Sequence, residues 1–86
     1  MQIKKQLLKR QIAGETFLVP LGTAVYDTNG LFFLTEVGAF LWDLLPEAED
    51  QEGLVRAVLE NYEVDEATAR ADIDAFLGKL RQLEIL

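Results

Sequence analysis

Fifteen carboxylates, eight basic side chains and no histidine, cysteine or serine are what this 86-residue chain offers for chemistry. Carboxylate catalysis or metal binding needs acidic groups that converge on one point. Asp72 and Asp74 stand two apart in a helical pattern and diverge, because neighbours on a helix face lie three or four apart. Glu47, Glu49, Asp50 and Glu52 cluster around the start of a second helical pattern, where negative charge complements the positive end of the helix dipole. Asp27-Thr28-Asn29-Gly30 opens like a calcium loop, but Gly38 stands at the twelfth position where a bidentate glutamate is required, so it reads as a turn. The usual proton shuttle, the thiolate and the commonest hydroxyl nucleophile are all missing. The chain therefore reads as non-enzymatic, with no cofactor and no metal-ligand set.

Charge narrows the partners further. Four of the eight basic residues, Lys4, Lys5, Lys9 and Arg10, fall in the first eleven positions, where no acid stands. Residues 12–86 hold four basic against fifteen acidic side chains, a net charge of −11. Such a body repels phosphate backbones, so nucleic acid is not the expected partner. The N-terminus lacks the apolar run of a signal peptide. No apolar stretch approaches the roughly 18 residues of a membrane span. A soluble, cytoplasmic, single domain over residues 1–86 is expected, without disulfides.

The elements that must position any binding surface come next. Residues 3–12 mix apolar and basic side chains and read as a partly exposed edge strand. Ala13-Gly14 reads as a tight turn, and Thr16-Phe17-Leu18-Val19 as a second strand that ends at Pro20. Residues 21–23 read as loop and 24–26 as a short extended piece. Residues 27–30, Asp27-Thr28-Asn29-Gly30, carry the strongest turn signal. Leu31, Phe32, Phe33 and Leu34 form the third strand. Thr35 caps a first helix that Pro46 stops. Asp50 caps a second helix with Leu54, Val55, Val58, Leu59 and Tyr62 inward. Asp65 caps a third, with Val64 placed to staple against Ala69. Ala69, Ile73, Phe76, Leu77, Leu80 and Leu83 form its apolar stripe. The order β-β-β-α-α-α predicts an α+β domain, a small antiparallel sheet packed on three helices.

Alternation along the third strand sends Phe32 and Leu34 to one face and Leu31 and Phe33 to the other. A single-layer sheet buries one face against helices. Either Leu31 and Phe33 are covered by the N-terminal strand and loop, or an apolar patch stands open beside a strand edge, the mark of an interaction site. Arg70, Asp74 and Leu77 flank the third helix's stripe. The strand and this flank can bound a groove that takes an extended peptide by strand addition. Two rivals share the element order. A winged-helix DNA-binding regulator needs a basic recognition helix, yet residues 65–83 hold Arg70, Lys79 and Arg81 against Asp65, Glu66, Asp72 and Asp74. A structural or dimerising subunit would bury the Leu31/Phe33 face against a second copy.

The run from Gly30 through Leu31-Phe32-Phe33-Leu34-Thr35-Glu36-Val37-Gly38-Ala39-Phe40-Leu41-Trp42 to Asp43-Leu44-Leu45 resembles the PqqD family's glycine, apolar strand and "L-N-E-x-G-A-x-I-W-x-L-L" segment. Downstream, Leu59-Glu60-Asn61-Tyr62-Glu63-Val64-Asp65 is similar to its "Y-x-V" approach to the third helix. Asp72-Ile73-Asp74-Ala75-Phe76-Leu77, with Leu80 and Leu83-Glu84-Ile85-Leu86, resembles its "D-V-x-x-F-L-x-x-L-x-x-x-G-L-L" ending. Thr35 replaces an asparagine and Glu84 a glycine. The turn at 27–30 and the short loops resemble the broad family more than the member that serves pyrroloquinoline quinone synthesis. The resemblance implies a winged-helix-like peptide chaperone, a recognition element for ribosomally made, post-translationally modified peptides. It implies that a precursor's leader peptide is bound and presented to a radical SAM maturase, by a monomer or weak homodimer. It also implies that the leader adds to the third strand, at Leu31, Phe32, Phe33 and Leu34, and lies against the third helix. A wheel projection puts Arg70, Ile73, Asp74 and Leu77 on that helix face.

Overall fold

The computed structural model describes residues 1–5, 7–20 and 32–86. The loop, extended piece and turn expected over 21–30, and Leu31, lie outside the described residues. The architecture is the expected α+β one. Strands β1 (Leu7–Ile12), β2 (Glu15–Pro20) and β3 (Phe32–Leu34) form an antiparallel sheet in the order β1-β2-β3. Helices α1 (Glu36–Leu44), α2 (Gln51–Asn61) and α3 (Glu66–Gln82) follow, with one 3-10 turn at Leu45–Glu47 after α1.

The first hairpin closes with Ile12 opposite Glu15, leaving Ala13 and Gly14 as its two turn residues. Both have positive φ, 52° and 81°, which matches the right-handed twist of the flanking strands. Register then decides the faces. Leu18 lies opposite Phe32 and Thr16 opposite Leu34, and Leu18 and Leu34 are buried against the helices. Phe17 lies opposite Phe33 on the outer face, their rings edge to face at 5.7 Å.

Each helix begins where its cap was expected. The Thr35 hydroxyl accepts from the Gly38 amide at 3.0 Å, and the Asp50 carboxylate from the Gly53 amide at 2.9 Å. Asp65 accepts from the Thr68 amide at 3.3 Å and from its hydroxyl at 2.6 Å. These side chains satisfy amides that the first turn of a helix leaves without partners. Val64, read as a staple, is itself exposed. Leu41, Trp42, Leu45, Leu54, Val55, Val58, Ala69, Ile73, Leu77 and Leu80 close over Leu18 and Leu34 in one apolar cluster. Phe40 on α1 is half-buried, edge to face with Tyr62 at 5.3 Å.

One strand boundary differs from expectation. β1 begins at Leu7, not at residue 3. The first residues instead cross to the far end of the chain, because Met1 and Ile3 half-bury against the core and polar groups hold them there. The Lys4 amide donates to the Ile85 carbonyl at 2.7 Å, and the Lys5 ammonium to the Leu83 carbonyl at 2.8 Å. The N-terminal ammonium donates to the carbonyls of Leu45, at 2.9 Å, and Ala48.

The C-terminal end of α3 turns sharply at Glu84, whose φ is 60°. The Glu84 amide donates to Arg81 and the Ile85 amide to Leu80, at 3.0 and 2.8 Å, the paired bonds of a left-handed helix stop. Leu80 and Ile85, the residues this motif brings together, are both fully buried.

Candidate functional site

Among the described residues β3 pairs on one side only, with β2. Its other edge opens above a cleft of about 500 Å³ between the strand and helices α1 and α3. Each wall follows from local sequence. From the strand come Phe32, Phe33 and Leu34, and from α1 come Val37, Gly38 and Leu41 with the cap Thr35. From α3 come Asp72, Ala75 and Phe76, which recur at three- and four-residue spacing and so share one shoulder of that helix.

Gly38 sets the depth of the cleft. A Cβ at this position would meet the Thr35 hydroxyl at 3.2 Å, the Leu34 side chain at 3.6 Å and the Phe76 ring at 3.6 Å. The first turn of α1 therefore sits close against both β3 and α3, which explains glycine after the threonine cap. Ala75 leaves further room on the helix side. The cleft is consequently apolar, with Asp72 as the one charged residue of its lining among the described residues.

The residues expected from the sequence are distributed as follows. Phe32 is half-buried toward the helices, Leu34 is buried at 3% exposure, and Phe33 is 52% exposed on the outer face. Leu31 lies outside the described residues. On α3, Ile73 and Leu77 are fully buried in the core. Arg70 and Asp74 lie on the shoulder that faces α2. The Arg70 guanidinium donates to both oxygens of Glu52, at 2.6 and 2.9 Å, and its Nε donates to Glu66 at 2.9 Å. Asp74 accepts from the Gln51 side chain. The structure thus brings Phe32, Phe33 and Leu34 to the cleft, while the helix contributes Asp72, Ala75 and Phe76 from its opposite shoulder.

Electrostatics separate the two shoulders. On the α2 side the bidentate Arg70 guanidinium holds the Glu52 carboxyl below the ordinary range, and the two carboxylates raise the Arg70 pKa. Those charges satisfy each other. On the cleft side, among the described residues, no basic side chain reaches Asp72. Among the described residues no group of three or more acids, histidines or cysteines is arranged to hold a metal ion. No helix among them is long and apolar enough to cross a membrane.

The fold and the cleft define a small α+β domain whose sheet, among the described residues, ends at β3 beside a helix-walled groove. The chain belongs to the family described as Coenzyme PQQ synthesis protein D (PqqD), whose model matches residues 15–86. A solved structure, TbiB1 in complex with the TbiA(beta) leader peptide, is 32% identical in sequence and superposes with a TM-score of 0.74. That match covers 100% of this chain and 94% of the other. No curated protein matches the sequence.

Proposed function

We propose that this chain is a non-catalytic, cytoplasmic recognition domain that captures the leader segment of a ribosomally made precursor peptide and presents it to a modifying enzyme, a radical SAM maturase. The leader adds as a fourth strand to the open edge of β3, and its inward side chains enter the cleft toward α3. Main-chain hydrogen bonds supply affinity in this mode, and pockets for alternate side chains supply selectivity.

The observation that carries the reading is that β3, among the described residues, pairs on one side only and stands beside an apolar cleft. It occurs in a chain that shares its fold, at 32% identity, with a protein solved with a leader peptide. The exposure of Phe33 supports the same placement, since an added strand would lay an outward side chain against that ring. The chain's net charge of −7, a third helix with as many acidic as basic side chains, and a cleft whose charged lining residue is Asp72 argue against the DNA-binding alternative.

The test is the affinity of the precursor peptide encoded beside this gene for the native protein and for Phe33→Asp. Loss of binding with unchanged thermal unfolding is expected, because the 52%-exposed ring contributes little to the core. Equal affinity for the two proteins would place the leader elsewhere.

A further inference from the structure

We infer that the peptide taken up at β3 carries a basic side chain opposite Asp72 and a bulky apolar side chain two residues away, on the same face of the added strand. This rests on the strand-addition reading above and adds the chemistry that selects among extended segments.

Three observations carry it. First, among the described residues the cleft lining contains one charged residue, Asp72, whose side chain is exposed and makes no hydrogen bond or ion pair with any of them. The protein's own cations are engaged or placed elsewhere. Arg70 is held by Glu52 and Glu66, Lys9 by Asp43 at 2.5 Å, and none of the eight basic residues lines the cleft. A cation brought by the ligand is the complement that is missing.

Second, the apolar room lies one helical turn away from that charge. Phe76 follows Asp72 by four residues, about 6 Å along the helix. Side chains on one face of an extended strand repeat every two residues, about 6.6 Å. The two periods match, so a strand running along the cleft can place one side chain at Asp72 and the next inward one beside Phe76.

Third, the cleft beside Phe76 is walled by apolar surface. Phe32, Leu41 and Phe76 line it, Ala75 adds little bulk on the helix side, and Gly38 lets α1 pack close against Leu34 and Phe76. A branched or aromatic side chain fills such a space, and a polar one would lose its hydration there without a partner.

The experiment is a selection of displayed random twelve-residue peptides on the full-length protein, on Asp72→Lys and, as a control for the site, on Phe33→Asp. On the native protein the enriched peptides are expected to carry Lys or Arg two positions from Leu, Ile, Phe or Tyr. On Asp72→Lys the basic position is expected to become Asp or Glu. A synthetic peptide of the enriched sequence is expected to bind Asp72→Asn about two- to fivefold more weakly, the range of an exposed ion pair. Peptides that need Phe33 but show no basic preference, or the same preference on Asp72→Lys, would overturn this inference and leave strand addition standing. Failure to enrich any peptide that depends on Phe33 would overturn both.

Discussion

At the scale of single residues, two positions among the described residues carry backbone geometry that their side chains do not favour. Ala13 and Glu84 both have positive φ, where an L-residue's Cβ crowds its own backbone. Glu84 is the more informative. It was legible in the sequence as a departure from the glycine that the family places before its last two residues, and the structure supplies the reason for that glycine. The position is the left-handed stop of α3, which glycine adopts without cost. Glu84→Gly is therefore expected to stabilise the protein by about 0.5–1 kcal/mol, relief of left-handed strain partly offset by greater freedom of the unfolded chain. Denaturant unfolding measures this, and a lower midpoint would contradict the assignment. The cleft residues Gly38 and Asp72 were not legible as such. Gly38 reads in sequence as a weak point in a helix, and Asp72 as one more solvated acid. The fit of Gly38 depends on Phe76, far away in the chain, and the place of Asp72 in the cleft lining depends on how α3 packs against β3.

At the scale of elements, the caps, the stop of the first helix at Pro46 and most of the inward stripes could be read directly, because each depends on residues within a turn of one another. Thr35, Asp50 and Asp65 accept from the amides they were expected to satisfy. The facing of α3 was another matter. A wheel places Arg70 and Asp74 on one shoulder and Asp72 and Phe76 on the other, but it does not say which shoulder meets β3. Charge would have indicated the answer. Glu66 lies four residues before Arg70, and Glu52 is in the first turn of α2, so the α2-facing shoulder is the one with complementary charges.

That shoulder has its own pH dependence. Hydrogen bonding to Arg70 lowers the Glu52 pKa below its ordinary 4.5, and hydrogen bonding to Thr68 lowers that of Asp65 below 3.8. A carboxyl lowered in the folded state stabilises it fully above the ordinary value and loses that contribution as pH falls through the lowered one. The α2–α3 clamp and the α3 cap are thus expected to hold at neutral pH and weaken on acidification below about pH 4.5. Glu52→Gln should flatten part of the decline in stability below that point. An unchanged acid limb would mean the clamp contributes nothing.

At the scale of the whole molecule, the sheet is stabilised through its inner face. Leu34 is 3% exposed and Leu18 fully buried against the helices, so the short third strand is anchored by its inward residues while its outward ring stays in water. Leu34→Ala is expected to cost about 2–5 kcal/mol in unfolding free energy, the range for emptying a core position. Phe33→Asp should cost far less, and chemical denaturation of the two variants checks that contrast. The element order and fold class were readable because the period of apolar residues changes once, from two to 3.6, at Thr35. The open edge and the cleft were readable only in part. Alternation shows that one of the two aromatic residues of β3 must face away from the helices, but not that the strand lies at the edge of its sheet. The crossing of residues 1–5 to the C-terminal end was not readable either, because it rests on single hydrogen bonds such as that from the Lys4 amide to Ile85.

The central claim is that a peptide backbone pairs with β3. Titrating nitrogen-15-labelled protein with the leader segment of a candidate precursor peptide tests it most directly. The amides of Phe32, Phe33 and Leu34 are expected to shift downfield and slow their exchange with solvent, with smaller changes at Asp72, Ala75 and Phe76. Saturating binding that left those strand amides unmoved would contradict the account.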